Sequence, residues 1–201
     1  MKTGQRRVRI GGSLRHAWVR WLALLLLGSP CVAPAEDGHE LWLRYRSLPA
    51  SQQQAMQRDL AGIRVEAPES PLLQSALSEL SLAWTAMTGR PLRRLPGVEP
   101  GALVLCLGNS PLVAALGSQL ATLGEEGYLL RHLRLQGKPV TLLAANTHRG
   151  LLYGSFALLG QLQQGKPITG LNEASAPRVQ LRMLDHWDNL DGHVERGYAG
   201  A

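Results

Sequence analysis

Apolar residues change their spacing several times along this chain of 201 residues, and each change predicts an element. Leu41-Trp42-Leu43-Arg44-Tyr45-Arg46 alternates, Gln52 to Gln57 is polar and helix-forming, and Ile63-Arg64-Val65-Glu66 alternates as a strand stopped by Pro68. Ser70-Pro71 opens a helix, with Ser70 as cap and Pro71 in the first turn, where its missing N–H would have had no partner. Leu72, Leu73, Ala76, Leu77, Leu80, Ala83 and Trp84 recur at three and four, which makes one apolar stripe, and Gly89 closes the helix. Trp84 lies in that stripe and is read as core.

Ala102-Leu103-Val104-Leu105-Cys106-Leu107 is apolar throughout, the pattern of a strand covered on both faces. Gly108-Asn109-Ser110-Pro111 then turns into a second predicted helix, Leu112 to Leu123. Such a turn can hold an anion on free amides, yet one glycine without a lysine is better explained by capping at Asn109 and Ser110. Two alternating runs, Gly127 to Leu135 and Pro139 to Ala145, flank Gln136-Gly137-Lys138 and predict a hairpin. A third helix runs from His148 to Gln163 with Thr147 as cap, and Gly150 and Gly154 let it lie close to its sheet. Leu151, Leu152, Phe156, Leu158 and Leu159 are its expected buried surface, and His148 and Arg149 a solvated first turn. The fold class is therefore α/β: a small mixed-sheet domain over residues 36–167, with a linker at 168–177 and no internal repeat.

Arg178-Val179-Gln180-Leu181-Arg182-Met183-Leu184 alternates once more, and a polar, aromatic and glycine-rich stretch follows to Gly200. This reads as a strand and the loop leaving its carboxyl end, where a rigid sheet positions chemistry. Residues 178–201 are therefore expected to be a strand and the loop leaving it, with most of what they begin lying beyond Ala201.

Charge removes one class of function. Six basic residues and no acidic one precede Glu36, which leaves 15 basic against 15 acidic residues from there on. The body is formally neutral, so no broad footprint for a nucleic-acid backbone exists. The basic head, the apolar run Trp21 to Leu27 and the small-residue exit Ala33-Pro34-Ala35 predict a signal peptide over residues 1–35 and an exported protein, periplasmic or extracellular, with no membrane attachment after cleavage. Cys31 leaves with it. Cys106 alone in an apolar run is a small hydrophobe rather than a catalytic thiol.

Candidate chemistry lies in the last stretch. Asp188, Asp191 and Glu195 are carboxylates on one loop, whereas glycoside hydrolysis sets two across a bond. Structural roles, as helix caps and in a pair with Arg196, are expected for them. His186, Asp188, Asp191 and His193 match neither an H-E-x-x-H helix nor a calcium loop, so no metal is expected. Trp187 presents an aromatic face suited to stacking on a sugar ring, with core packing as the competing role.

Arg182-Met183-Leu184-Asp185-His186-Trp187-Asp188-Asn189-Leu190-Asp191-Gly192, then Glu195-Arg196-Gly197-Tyr198-Ala199-Gly200, resembles the start of the catalytic barrel in glycoside hydrolase family 67 α-glucuronidases. The family usually carries asparagine where Asp185 stands. Gly124 to Tyr128, Asn146 to Gly150 and Leu152-Tyr153-Gly154 are similar to the accessory domain before that barrel, and related domains precede the barrel of β-hexosaminidases. The resemblance implies a (β/α)8 barrel beyond this chain. It implies removal of α-1,2-linked (4-O-methyl)glucuronic acid from xylan-derived aldouronic acids, with inversion and without metal or organic cofactor. The general acid and basic carboxylates would lie beyond residue 201, so the chain holds no catalytic residue and is expected to be inactive alone. Trp187 would contact substrate, with His186, Asp188 and Asn189 beside it, and a homodimer could form through the part beyond residue 201. The alternative is a complete, non-catalytic carbohydrate-binding or protein-contact domain. A closing orphan strand and a Gly-Tyr-Ala-Gly tail speak against that alternative.

Overall fold

Ala102–Leu107 is buried at every position, and a five-stranded sheet forms around it. The computed structural model describes residues 44–179 and 181–183, and the fold set out below is that of the unit beginning at Tyr45. Its strands are β1 (Gly62–Glu66), β2 (Ala102–Leu107), β3 (Tyr128–Leu135), β4 (Lys138–Ala145) and β5 (Asn172–Ser175). Its helices are α1 (Ala50–Asp59), α2 (Pro71–Thr88), the short α3 (Gly117–Ala121) and α4 (His148–Gln163), with 3-10 turns at Pro111–Leu116 and Ile168–Gly170.

The sheet order is β1-β2-β4-β3-β5. β1, β2 and β4 run parallel, and β3 is antiparallel to both β4 and β5. The β3–β4 hairpin closes on Gln136 and Gly137, both with positive φ (51° and 77°). Two left-handed residues give a turn whose twist matches that of the strands it joins, and glycine takes the second place without steric cost.

Alternation along the strands sorts the core into two layers. Leu103, Leu105, Leu130 and Leu143 face a layer that includes Leu73, Leu77, Leu80 and Trp84 of α2 and Leu151 and Leu158 of α4. Val104, Cys106, Leu129, Leu142 and Ala144 face the other way, toward Leu95, Val113, Leu120 and Leu123. Each fully buried leucine contributes roughly 1.5–3 kcal/mol relative to exposure.

The helix ends follow their local chemistry. Ser70 Oγ accepts from Leu73 N at 3.1 Å and caps α2, and Thr147 Oγ1 accepts from Gly150 N at 3.3 Å and caps α4. Trp84 is core, as expected. Leu72, by contrast, is exposed. On α4, Leu152 is half-buried and Phe156 exposed, while Leu162 adds to the buried side.

Several expectations need correction. The helix expected over 112–123 is a 3-10 turn followed by the five-residue α3, with Val113 outside helical geometry (φ −116°, ψ 16°). Gly117 stands at the junction, and a glycine inside a helix costs about 1 kcal/mol. Residues 168–177, expected as a linker, contain a 3-10 turn and β5. β5 pairs with β3 from Tyr128↔Ser175 to Arg131↔Asn172. Its half-exposed Asn-Glu-Ala-Ser composition hides an edge strand, which needs one ladder and little apolar area. Residues 44–46 form no strand; 41–43 lie outside the described residues.

Residues 178, 179 and 181–183 carry no strand either, and no described strand lies beside them to supply a ladder. Among the described residues, no helix is long and apolar enough to cross a membrane.

Candidate functional site

Parallel strands deliver their carboxyl ends to one edge of a sheet, and loops there are the usual place for function. Here those ends are Glu66, Leu107 and Ala145. The loops beyond them are tied down. Asn146 Nδ2 donates to Leu120 O at 2.7 Å and to Gly124 O at 2.9 Å, and Thr147 Oγ1 donates to Glu125 O. His148 Nε2 meets Pro68 O at 2.8 Å, which joins the start of α4 to the loop after β1. These bonds explain why Gly124 to Tyr128 and Asn146 to Gly150, far apart in sequence, meet as one structure. Gly150 makes the contact possible, because a Cβ there would stand 2.7 Å from Ala145 Cβ and closer still to Gly127 O.

Glu126 is the centre of that structure. Its Oε1 receives Arg149 Nη1 of α4 at 3.4 Å, and its Oε2 receives Arg182 Nη2 from the chain beyond β5. Arg182 also donates to Val179 O at 2.7 Å. The hydrogen bond that Arg182 donates to Glu126 is the main cause that raises the Arg182 pKa above its ordinary value, with smaller support from Tyr153. A second carboxylate holds the strand edge. Tyr128 Oη donates to Glu173 Oε1 at 2.6 Å and Gln161 Nε2 donates to Glu173 Oε2 at 2.6 Å. Burial, then that bond, pushes the Tyr128 hydroxyl up to about 12.

Two clefts flank this junction. One of about 540 Å³ lies between Glu125, Glu126, Arg149, Ala176 and Pro177. The other, of about 340 Å³, is lined by Tyr128, Tyr153, Ser175, Arg178, Val179 and Arg182 among others.

The arrangement is built to anchor a chain. Inverting hydrolysis sets two carboxyl groups roughly 6.5–9.5 Å apart across the sugar. Both oxygens of Glu126 are already engaged by guanidinium groups. No group of three or more metal-binding side chains exists among the described residues. Cys106 is buried and its thiol is pushed up to about 12 by that burial, which fits the reading as a small hydrophobe.

Of the residues singled out from the sequence, Trp187, His186, Asp188 and Asn189 lie outside the described residues, as do Asp191, His193, Glu195 and the head 1–35. His148 and Arg149 are not free in solvent; they pair with Pro68 O and Glu126. Sequence reasoning missed Glu126, Tyr128 and Glu173 as joints. Glu126 and Tyr128 had only a place in a segment picked out by resemblance, and Glu173 lay in the expected linker.

Comparison with known proteins matches residues 41–158 to the model of the glycosyl hydrolase family 67 N-terminus and residues 161–201 to that of the glycosyl hydrolase family 67 middle domain. A probable alpha-glucuronidase A of Aspergillus terreus is 28% identical over 187 residues, covering 91% of this chain and 21% of that protein. The probable alpha-glucuronidase A of Aspergillus oryzae is 31% identical over 188 residues, 90% of this chain and 22% of its own length. An alpha-glucuronidase of Hypocrea jecorina is 31% identical over 196 residues, 90% of this chain and 23% of its own. The chain thus spans about a fifth of the length of the curated relatives it matches.

Proposed function

The chain belongs to glycosyl hydrolase family 67, and from that premise we propose that it forms the amino-terminal part of an exported α-glucuronidase. The enzyme removes α-1,2-linked (4-O-methyl)glucuronic acid from xylan-derived aldouronic acids with inversion. The observation that carries this reading is the order of the matches: the N-terminal family model over 41–158, then the middle-domain model over 161–201, with His186-Trp187-Asp188-Asn189-Leu190-Asp191-Gly192 inside the second.

In this reading the α/β domain is a support. The Glu126 cluster fixes where the chain leaves β5, and residues 178–201 become the first strand and loop of the barrel. Trp187 stacks on the sugar, with His186, Asp188 and Asn189 beside it. The general acid and basic carboxylates come from later strands, so residues 1–201 alone do not turn over substrate. Residues 1–35 direct export. The partner is an aldouronic acid, not nucleic acid; a homodimer, if one forms, uses the later part of the protein.

The test joins residues 1–201 to the remainder of the Hypocrea jecorina relative and measures glucuronic acid released from aldouronic acids. The joined protein should release it, first as the β-anomer by NMR, while residues 1–201 alone release none. Turnover by residues 1–201 alone, lost on neutralising Asp188 or Glu195, would overturn the reading.

A further inference from the structure

The loop between α2 and β2 takes no part in the Glu126 junction, yet it carries three exposed cations, Arg90, Arg93 and Arg94. None of the ion pairs among the described residues involves them. Their backbone is fixed. Ile63 N donates to Arg93 O at 2.8 Å and Leu95 N donates to Ile63 O at 2.8 Å, so the loop runs beside β1 as a short extra edge. Arg90 N donates to Thr88 Oγ1 at 3.3 Å at the end of α2. Gly62 is what lets the loop come so near, since a Cβ there would stand 2.6 Å from Arg93 O.

A cleft of about 300 Å³ opens between this loop, α1 and α2. Its lining combines Arg90 and Arg93 with apolar Leu60, Trp84, Pro91 and Leu92, and with Gln57. The Gln57 amide is held by its Nε2 donating to Thr88 O at 3.0 Å, which leaves its oxygen to accept from a hydroxyl. The carboxylate nearest in sequence, Asp59, is paired with Arg58 at 2.8 Å and does not neutralise the cleft.

We propose that this cleft is an accessory binding site for a carboxylate-bearing sugar, a uronic acid branch on an oligosaccharide. An inorganic anion would use the guanidinium groups alone. Leu60 and Trp84 are buried, and the apolar surface offered by Pro91 and half-buried Leu92 adds nothing for such an ion, whereas it matches the C–H face of a pyranose. Guanidinium pairs a carboxylate through two parallel hydrogen bonds, and a loop pinned to β1 loses little freedom on binding. The choice of a sugar acid rests on the α-glucuronidase reading; the cleft and its charge do not.

The experiment uses residues 1–201 and titrates them with an aldouronic acid, with the neutral xylo-oligosaccharide of equal length, and with inorganic phosphate. Amide shifts are followed by NMR, and the same titrations are run on R90Q/R93Q and on R134Q, which removes an exposed cation of the β3–β4 hairpin. The aldouronic acid should bind at least about tenfold more tightly than the neutral oligosaccharide and should move amides of residues 57–62 and 89–95. R90Q/R93Q should weaken it by about tenfold or more, the worth of one lost charged hydrogen bond, and R134Q should leave it unchanged. No binding, equal binding of phosphate, or binding kept in R90Q/R93Q or lost equally in R134Q would overturn the site. The barrel-joined protein separates the two claims. If it releases no glucuronic acid while Arg90 and Arg93 still bind the aldouronic acid, the proposed function falls and this site stands.

Discussion

Leu103 and Leu105 of β2 and Leu181 and Met183 beyond β5 are apolar pairs at the same spacing in two runs expected to be strands, and they meet opposite fates. The first two are 1% and 0% exposed; the second two are 73% and 83% exposed. β2 has a parallel neighbour on each side and a covered face above and below. Residues 181–183 have no neighbouring strand among the described residues, and a salt bridge from Arg182 to Glu126 ties them to the domain. The contrast teaches that apolar residues two positions apart give a segment the capacity to be a strand, while burial depends on what lies beside it. In the α-glucuronidase reading, later barrel strands supply what residues 178–183 lack.

The contrast can be broken most sharply in the buried strand. Leu105→Ala should destabilise the domain by about 2–5 kcal/mol, through lost transfer energy and the cavity left behind, as read from the midpoint of urea unfolding. Gly150→Ala tests the close approach of α4 to Gly127 and should cost about 1–3 kcal/mol by overpacking. A melting temperature unchanged by Gly150→Ala would mean that α4 can shift away freely.

An effect confined to alkaline pH comes next. The folded-state value of Tyr128, about 12, lies above the roughly 10 of a free tyrosine. Its stabilisation is therefore complete below pH about 10 and is lost as pH rises toward 12. Tyr45, raised by burial and by its bond to Glu79, acts in the same direction. Tyr128→Phe should flatten part of the fall in stability over that window and leave the curve near pH 7 unchanged in slope. The smallest effect belongs to the exposed segment, where Leu181→Ala should change stability by less than about 0.5 kcal/mol. If it costs as much as Leu105→Ala, Leu181 has a buried neighbour and the comparison fails.

Much of this fold could be read from residues alone. The apolar run of β2, the Ser70-Pro71 start of α2, the hairpin around Gly137 and the Thr147 cap of α4 each rest on local chemistry, and each appears where that chemistry puts it. What failed depends on partners. β5 is polar because it is an edge strand, so composition made it a linker. The helix expected over 112–123 is divided because Val113 leaves helical geometry, which apolar spacing does not signal. The Glu126 cluster joins residues 23 and 56 positions apart, and the cleft beside Trp84 depends on a loop folding back on β1. Neither leaves a periodic signal. The residues proposed to contact sugar, Trp187 and its neighbours, rest mainly on resemblance, and they lie outside the described residues.

The most direct measurement concerns Trp187 in residues 1–201 joined to the barrel of a relative. Trp187→Ala should remove a stacking contact worth about 0.5–1.5 kcal/mol beyond area burial. The expected result is a fall in kcat/KM on aldouronic acids with the melting temperature nearly unchanged. If Trp187 instead fills the barrel core, the substitution should cost about 3–5 kcal/mol of stability. A large drop in melting temperature, with normal kinetics in the protein that remains folded, would contradict the account.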